Sequence, residues 1–198
     1  MILLYGGVIF MHFISREALN LKQQIAEMGK LRNLVFCALM VAMYIVVSFF
    51  DIPITQSIEI RLGFIIIAAA GLLSGPLMGL SVGALGDVVK MLITGGKGSS
   101  FFFGFTITYA LMGFLFGLVF YKCKVTVGRA IAASICEFGI SIFLNTLNLS
   151  ILYGSPYKAM FISRLPKSSI MLIVNVVLLF ITMRALQTVF TRSHLITE

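Results

Sequence analysis

Apolar stretches follow one another through this chain with little between them. They run from about Leu34 to Phe50, Leu62 to Leu73, Pro76 to Thr94, Phe101 to Tyr121, Ala130 to Tyr153 and Ser168 to Leu186. An apolar helix of about 20 residues crosses the hydrocarbon core of a bilayer. Hydrophobic residues make up 60% of the 198 and charged residues 11%, more apolar surface than a soluble domain of this length can hide. The expected fold is therefore all-α and integral to a membrane, a bundle of about six transmembrane helices. The second stretch is short, and Ser74-Gly75-Pro76 separates it from the third.

The ends of the chain read differently. Met1 to Ile14 is apolar but has neither the leading positive charge nor the cleavage site of a signal peptide. Ser15 to Arg32 mixes Leu21, Ile25 and Met28 with Arg16, Glu17, Lys22, Glu27 and Lys30, the pattern of an amphipathic helix lying on a membrane surface. The expected division is an extension and surface helix over residues 1–32, a membrane domain over 33–190 and a tail over 191–198.

Charge sets the orientation. The net charge is +8, but the basic residues are scattered over loops, which fits membrane topology and not nucleic-acid binding. An even number of spans places both termini on one side. That side carries nine Lys and Arg residues and the other carries six, so both termini are expected in the cytoplasm. The outer six are Arg61, Lys90, Lys97, Lys158, Arg164 and Lys167. So many outer cations point to an anionic ligand.

Arg164-Leu165-Pro166-Lys167 is the sharpest local signal. A proline in the first helical turn costs little, because the N–H it lacks would be unpaired there. A helix start with two adjacent cations makes an anion site. Phe101, Phe102, Phe103, Phe105 and Tyr109 crowd the outer end of the fourth span. They fit an interfacial aromatic belt, and they equally supply faces on which a flat ring can stack. Asn145, Thr146 and Asn148 form a polar patch that either glues helices together or reads a heterocycle. Tyr153 and Tyr157 are placed to close the same pocket. Asp87 and Lys90, three apart, suggest a structural ion pair, an ion relay, or a lysine reaching the ligand. Glu137 is assigned to packing or a partner contact.

Small residues four apart let helix backbones touch. Gly71, Gly75, Gly79 and Gly83 have this spacing, as do Gly113 and Gly117, and Ala38 with Ala42. Several signals are missing. Cys37, Cys123 and Cys136 show no paired spacing, and His12 and His194 stand near opposite ends, so no metal site or nucleophile–base set is expected. Gly95-Gly96-Lys97 lacks the spacing and the following Ser or Thr of a phosphate loop. Neither enzymatic activity nor a cofactor is expected, and uphill transport would need a partner or an ion gradient.

These residues together resemble the substrate-binding S components of energy-coupling-factor (ECF) vitamin transporters, most closely the folate-specific branch. The similar stretches are Ile60-Arg61-Leu62-Gly63-Phe64, Gly75-Pro76-x-x-Gly79 leading to Gly83-Ala84-Leu85-Gly86-Asp87, Phe103-Gly104-Phe105-Thr106, and Arg164-Leu165-Pro166-Lys167. The resemblance implies a pocket near the outer face, formed by outer loops and the last three helices. It implies that Ala38 and Ala42 dock on a membrane coupling subunit that joins two ATPases. The asparagine usual in the family shortly after that motif is absent here, and Phe103 replaces the usual proline. The ligand implied is folate or a related small vitamin. Arg164 and Lys167 are the first candidates for binding it, followed by Arg61, Lys97, Phe103, Phe105, Thr106, Tyr109, Asn145, Asn148 and Tyr157. The alternatives are an S component for riboflavin, thiamine or another pterin, and a structural membrane subunit without ligand.

Overall fold

The computed structural model describes residues 17–55, 58–94 and 102–192. A 3₁₀ turn, Glu17–Leu19, leads into α1 (Leu21–Met28) and α2 (Leu31–Ser48). A short antiparallel hairpin follows, β1 (Ile52–Thr55) with β2 (Ile58–Ile60), pairing Ile52 with Ile60 and Pro53 with Glu59. Then come α3 (Phe64–Ser74), α4 (Pro76–Thr94), α5 (Phe103–Phe120) and α6 (Val127–Ile140). A π-helical turn, Ser141–Asn145, joins α6 to α7 (Thr146–Tyr153), and α8 (Tyr157–Arg192) ends the described chain.

Among the described residues, five segments are long and apolar enough to cross a membrane: Leu31–Ser48, Pro76–Ile93, Phe103–Phe120, Val127–Tyr153 and Ser168–Phe190. The sixth apolar stretch, α3, has 11 residues. At about 1.5 Å per residue it covers roughly half of a hydrocarbon core. The domain is thus helical and membrane-embedded, with the hairpin as an addition the apolar pattern does not disclose.

The segment from Gly154 to Lys167, left between the last two expected spans, is largely helix. Gly154, at φ 63°, ends α7 in the left-handed conformation that favours glycine, and α8 begins at Tyr157. Pro166 therefore stands inside α8, well beyond its first turn. The reading of Arg164-Leu165-Pro166-Lys167 as a helix start is corrected accordingly. An interior proline leaves the carbonyl four residues earlier without its N–H, which membrane helices tolerate when neighbours re-satisfy the backbone.

Close backbone contact holds α3, α4 and α5 together. A Cβ on Gly79 would sit 2.3 Å from the Gly113 carbonyl oxygen, and one on Gly113 would sit 2.0 Å from that of Gly79. The glycine spacing does what it promises: hydrogen is the only side chain that fits where α4 crosses α5. Around this contact lie Ile67, Ala68, Ala70, Val82, Phe116, Val119 and Phe120, all essentially inaccessible.

The polarity of the bundle follows from its contacts. At the end near both termini, the Gln24 side chain of α1 accepts from the Leu77 N–H (3.3 Å) and donates to the Ala18 carbonyl (3.0 Å). Leu77 lies in the first turn of α4, where N–H groups have no intrahelical acceptor. Gln24 is buried while Leu19, Leu21 and Ile25 are exposed, so α1 is held by its amide and turns its apolar residues outward. Nearby, the Val125 N–H donates to Gln187 Oε1 (2.8 Å), tying the α5–α6 loop to the end of α8. The hairpin, the starts of α3, α5 and α8, and the end of α7 share the opposite end.

Gly79→Val should lower the thermal midpoint in detergent, because overpacking of this kind costs about 1–3 kcal/mol. Gly139→Ala, where an added Cβ meets nothing within 4 Å, should leave the midpoint unchanged or slightly raised. Equal melting of Gly79→Val and the parent would refute the close-contact account.

Candidate ligand-binding site

A cavity opens in the half of the bundle away from the termini. Tyr44 of α2 contributes to it, with Arg61, Gly63 and Phe64 where the hairpin meets α3. Phe105, Tyr109 and Met112 come from α5, and Glu137, Phe138, Ser141, Asn145 and Leu149 from the α6–π–α7 segment. Arg164, Ser168, Met171 and Asn175 come from α8.

Helical spacing explains two walls. The α8 residues recur at intervals of four, three and four, which puts them on one helix face. Glu137, Ser141, Asn145 and Leu149 recur at four throughout. An α-helix turns about 100° per residue, so residues four apart drift by about 40° each time. The π turn Ser141–Asn145 widens the ladder at mid-segment and reduces that drift. It keeps Glu137 and Leu149 on a common cavity.

Arg61 is fixed from several directions. Its Nη1 donates to the Tyr109 hydroxyl, and its guanidinium carbon lies 5.7 Å from the centroid of that ring. Tyr109 meets Tyr44 edge to face at 6.5 Å, a favourable aromatic geometry. Gly63 admits Tyr44, since a Cβ there would lie 2.6 Å from the Tyr44 ring. Asp51 clasps the two ends of the hairpin. Its Oδ1 accepts from the Leu62 N–H (2.9 Å) and its Oδ2 from Lys90 Nζ (2.6 Å).

Deeper in the cavity, Asn175 Nδ2 donates to Glu137 Oε2 at 2.8 Å. The Oδ1 atoms of Asn145 and Asn175 are buried with no donor among the described residues. Buried acceptors of this kind are rare in folded proteins unless a ligand or water meets them. Arg164 is buried to 7% exposure. The cavity thus combines cations, aromatic rings and buried amide acceptors, the equipment for a flat, polar, anionic molecule.

The structure brings Arg61, Phe105, Tyr109, Asn145 and Arg164 together on this cavity. Other expected residues sit elsewhere. Thr106 is buried and donates to Asp87 Oδ2 (2.8 Å). Asn148 is buried and donates to Thr108 Oγ1 (3.0 Å), bracing α7 against α5. Phe103 is 61% exposed. Tyr157 packs against Phe161, with ring centroids 5.8 Å apart. Lys167 lies on α8 one helical position beyond Pro166. Lys97 and Phe101 fall outside the described residues, as do His12 and His194. Asp87 and Lys90 do not form the pair that their spacing suggests: Lys90 turns to Asp51 and Asp87 to Thr106. Among the described residues no cluster of His, Cys, Asp and Glu could hold a metal.

Sequence reasoning passes over Tyr44, Ser168 and Asn175, and assigns Glu137 to packing or a partner contact, not to the cavity it lines. Glu137 carries a signal that could have found it, because an acid within an apolar span is a functional candidate by default. Arg164, Ser168 and Asn175 share one helix face, but that alignment is legible only once α8 is known to start before Arg164.

Residues 32–183 match the family described as "ECF transporter, substrate-specific component". The chain is 34% identical over 154 residues to "Folate transporter FolT" of Clostridium novyi (strain NT), covering 77% of this chain and 88% of that protein. It is also similar to the crystal structure of FolT bound with folic acid, with a TM-score of 0.70 and 30% identity, over 76% of this chain and 92% of that one.

Lys90→Met and Asp51→Asn should each destabilise the protein, and the double variant should lose less than the sum. A coupling of about 0.5–3 kcal/mol is expected for groups in direct contact. Thermal melts of the four proteins measure it, and strict additivity would show that the ion pair does not hold the hairpin.

Proposed function

This chain belongs to the family of ECF transporter substrate-specific components, and we propose that within it the chain serves as the folate-binding S component. It is a multi-pass membrane protein and a substrate-binding transporter subunit, not an enzyme. The observation that carries the folate reading is the similarity to folic-acid-bound FolT over most of both chains. The cavity chemistry agrees. Folate joins a flat pterin and an aminobenzoyl ring to a glutamate dianion. Phe105 and Tyr109 offer ring faces, Asn145 offers a buried amide, and Arg61 and Arg164 offer cations suited to carboxylates. Asn148 and Thr106 brace the wall from behind, and Phe103 and Tyr157 stand at the entrance.

The bundle counts six helices when the half-length α3 is included, with α1 lying on the membrane surface. Both termini are cytoplasmic, so the cavity faces outward. Of the described residues, 17–32 form the surface segment and 33–190 the membrane domain; the expected extension before residue 17 and the tail from residue 193 lie outside the described residues. Ala38 and Ala42 are exposed on α2, and this small-residue face docks on a membrane coupling subunit associated with two ATPases. The chain captures folate outside and releases it inside when that assembly reorients it.

Purified protein in detergent should bind folic acid one-to-one, and riboflavin and thiamine weakly or not at all. Truncating one partner of a buried charged contact costs about 2–5 kcal/mol, so Arg164→Ala should weaken folic acid binding by about 30-fold or more. Tight riboflavin binding without folic acid binding would keep the family and overturn the ligand. Ala38→Trp should abolish cellular folate uptake while sparing binding, and uptake that survives would place the docking face elsewhere.

A further inference from the structure

Two glycines make the seat of Tyr44. One edge of its ring faces Gly63, where a Cβ would lie 2.6 Å from Cε2 and 3.0 Å from Cδ2. The opposite edge faces Gly86 of α4, where a Cβ would lie 2.7 Å from Cδ1 and 3.1 Å from Cε1. Non-bonded carbons settle at about 3.5–4.0 Å, so the ring fits only because neither residue has a side chain. Trapped at both edges, it cannot step aside. The ring of Tyr109 meets it edge to face, and Tyr44 is 2% exposed.

Glycine is a poor helix residue, yet Gly86 stands inside α4. The three atoms nearest to its missing Cβ all belong to Tyr44. What Gly86 gives the structure is therefore the place of that ring. Gly86 does not itself line the cavity, whereas Tyr44 does, as the contribution of α2 among the described residues. With both ring edges covered, Tyr44 presents its hydroxyl end to that space. The hydroxyl has no hydrogen-bond partner among the described residues. A phenol hydroxyl both donates and accepts, and a buried one usually finds a partner.

Resting on the folate reading, we propose that Tyr44 is a ligand-binding residue whose hydroxyl hydrogen-bonds the bound folate, and that Gly86 is a positioning residue acting through it. The ring is fixed before the ligand arrives, so the bond forms without first ordering a mobile side chain. An effect of Gly86 on the ligand has to pass through the ring it seats, since Gly86 is not part of the cavity wall.

Calorimetry with folic acid on the full-length protein in detergent tests both parts. Tyr44→Phe keeps the ring and removes the hydroxyl. It should weaken folic acid by about 3- to 30-fold, the scale of one hydrogen bond, while the ligand-free protein melts at the parent's temperature or slightly above. Gly86→Ala should weaken folic acid by about 10-fold in the parent and by less than about twofold in Tyr44→Ala, where no ring stands in the way of the added methyl group. Parental affinity in Tyr44→Phe overturns the inference while folate binding stands. So does a loss of affinity accompanied by a lowered ligand-free melt, which assigns the hydroxyl to the fold and not to the ligand. A Gly86→Ala effect of equal size in both backgrounds overturns the positioning role. A parent protein that binds no folic acid overturns the folate reading as well.

Discussion

The contact between Gly79 and Gly113 sets the distance between α4 and α5, and other parts of the bundle are arranged around it. Each glycine lies where any Cβ would strike the other's carbonyl oxygen. In lipid, helices gain little by hiding apolar side chains from a medium as apolar as themselves, so shape complementarity of this kind must hold them. The same close approach recurs at Gly83, which a Cβ would bring to 2.3 Å from the Tyr109 carbonyl oxygen. Tyr109 is thus seated on α4 by its backbone, while its ring lines the cavity and its hydroxyl receives Arg61. Tight packing of small residues on one side of α5 and an aromatic cavity wall on the other are two consequences of one helix placement.

The cavity concentrates polar groups in a molecule that otherwise avoids them. Arg164, Asn145 and Asn175 are each more than nine-tenths buried. The Oδ1 atoms of Asn145 and Asn175 have no donor among the described residues, and buried acceptors of that kind cost free energy, so their convergence on one space is informative about what that space receives. Asp51 belongs to the same design at one remove. By accepting from Leu62 and Lys90, it holds the backbone just after Arg61 against α4 and hence bears on the direction from which that cation meets a ligand.

Much of this was legible in the residues. Five of the six expected spans and the glycine seam follow from apolar run length and spacing, while the placing of Arg61, Tyr109, Asn145 and Arg164 on one cavity accords with the pocket that the family resemblance implies. What the residues concealed has physical causes. The start of α8 was hidden because proline, a usual helix-boundary signal, sits at Pro166 inside a membrane helix that tolerates it. Lys90 was paired with the wrong acid because spacing within α4 competes with Asp51, distant in sequence and brought close by the turn of the chain. Glu137 and Asn175 lie 38 residues apart on different helices, and no local pattern joins them. The hairpin was masked because its residues, Ile52–Thr55 and Ile58–Ile60, are too few to stand out between long apolar runs.

The central claim is that one cavity, lined by Arg61, Phe105, Tyr109, Asn145 and Arg164, receives folate. A structure of this protein with folic acid bound measures that directly. The account predicts the ligand within this cavity, its rings against Phe105 and Tyr109 and its glutamate carboxylates beside Arg61 and Arg164. Density for the ligand outside this cavity, or with its glutamate away from both arginines, would contradict it.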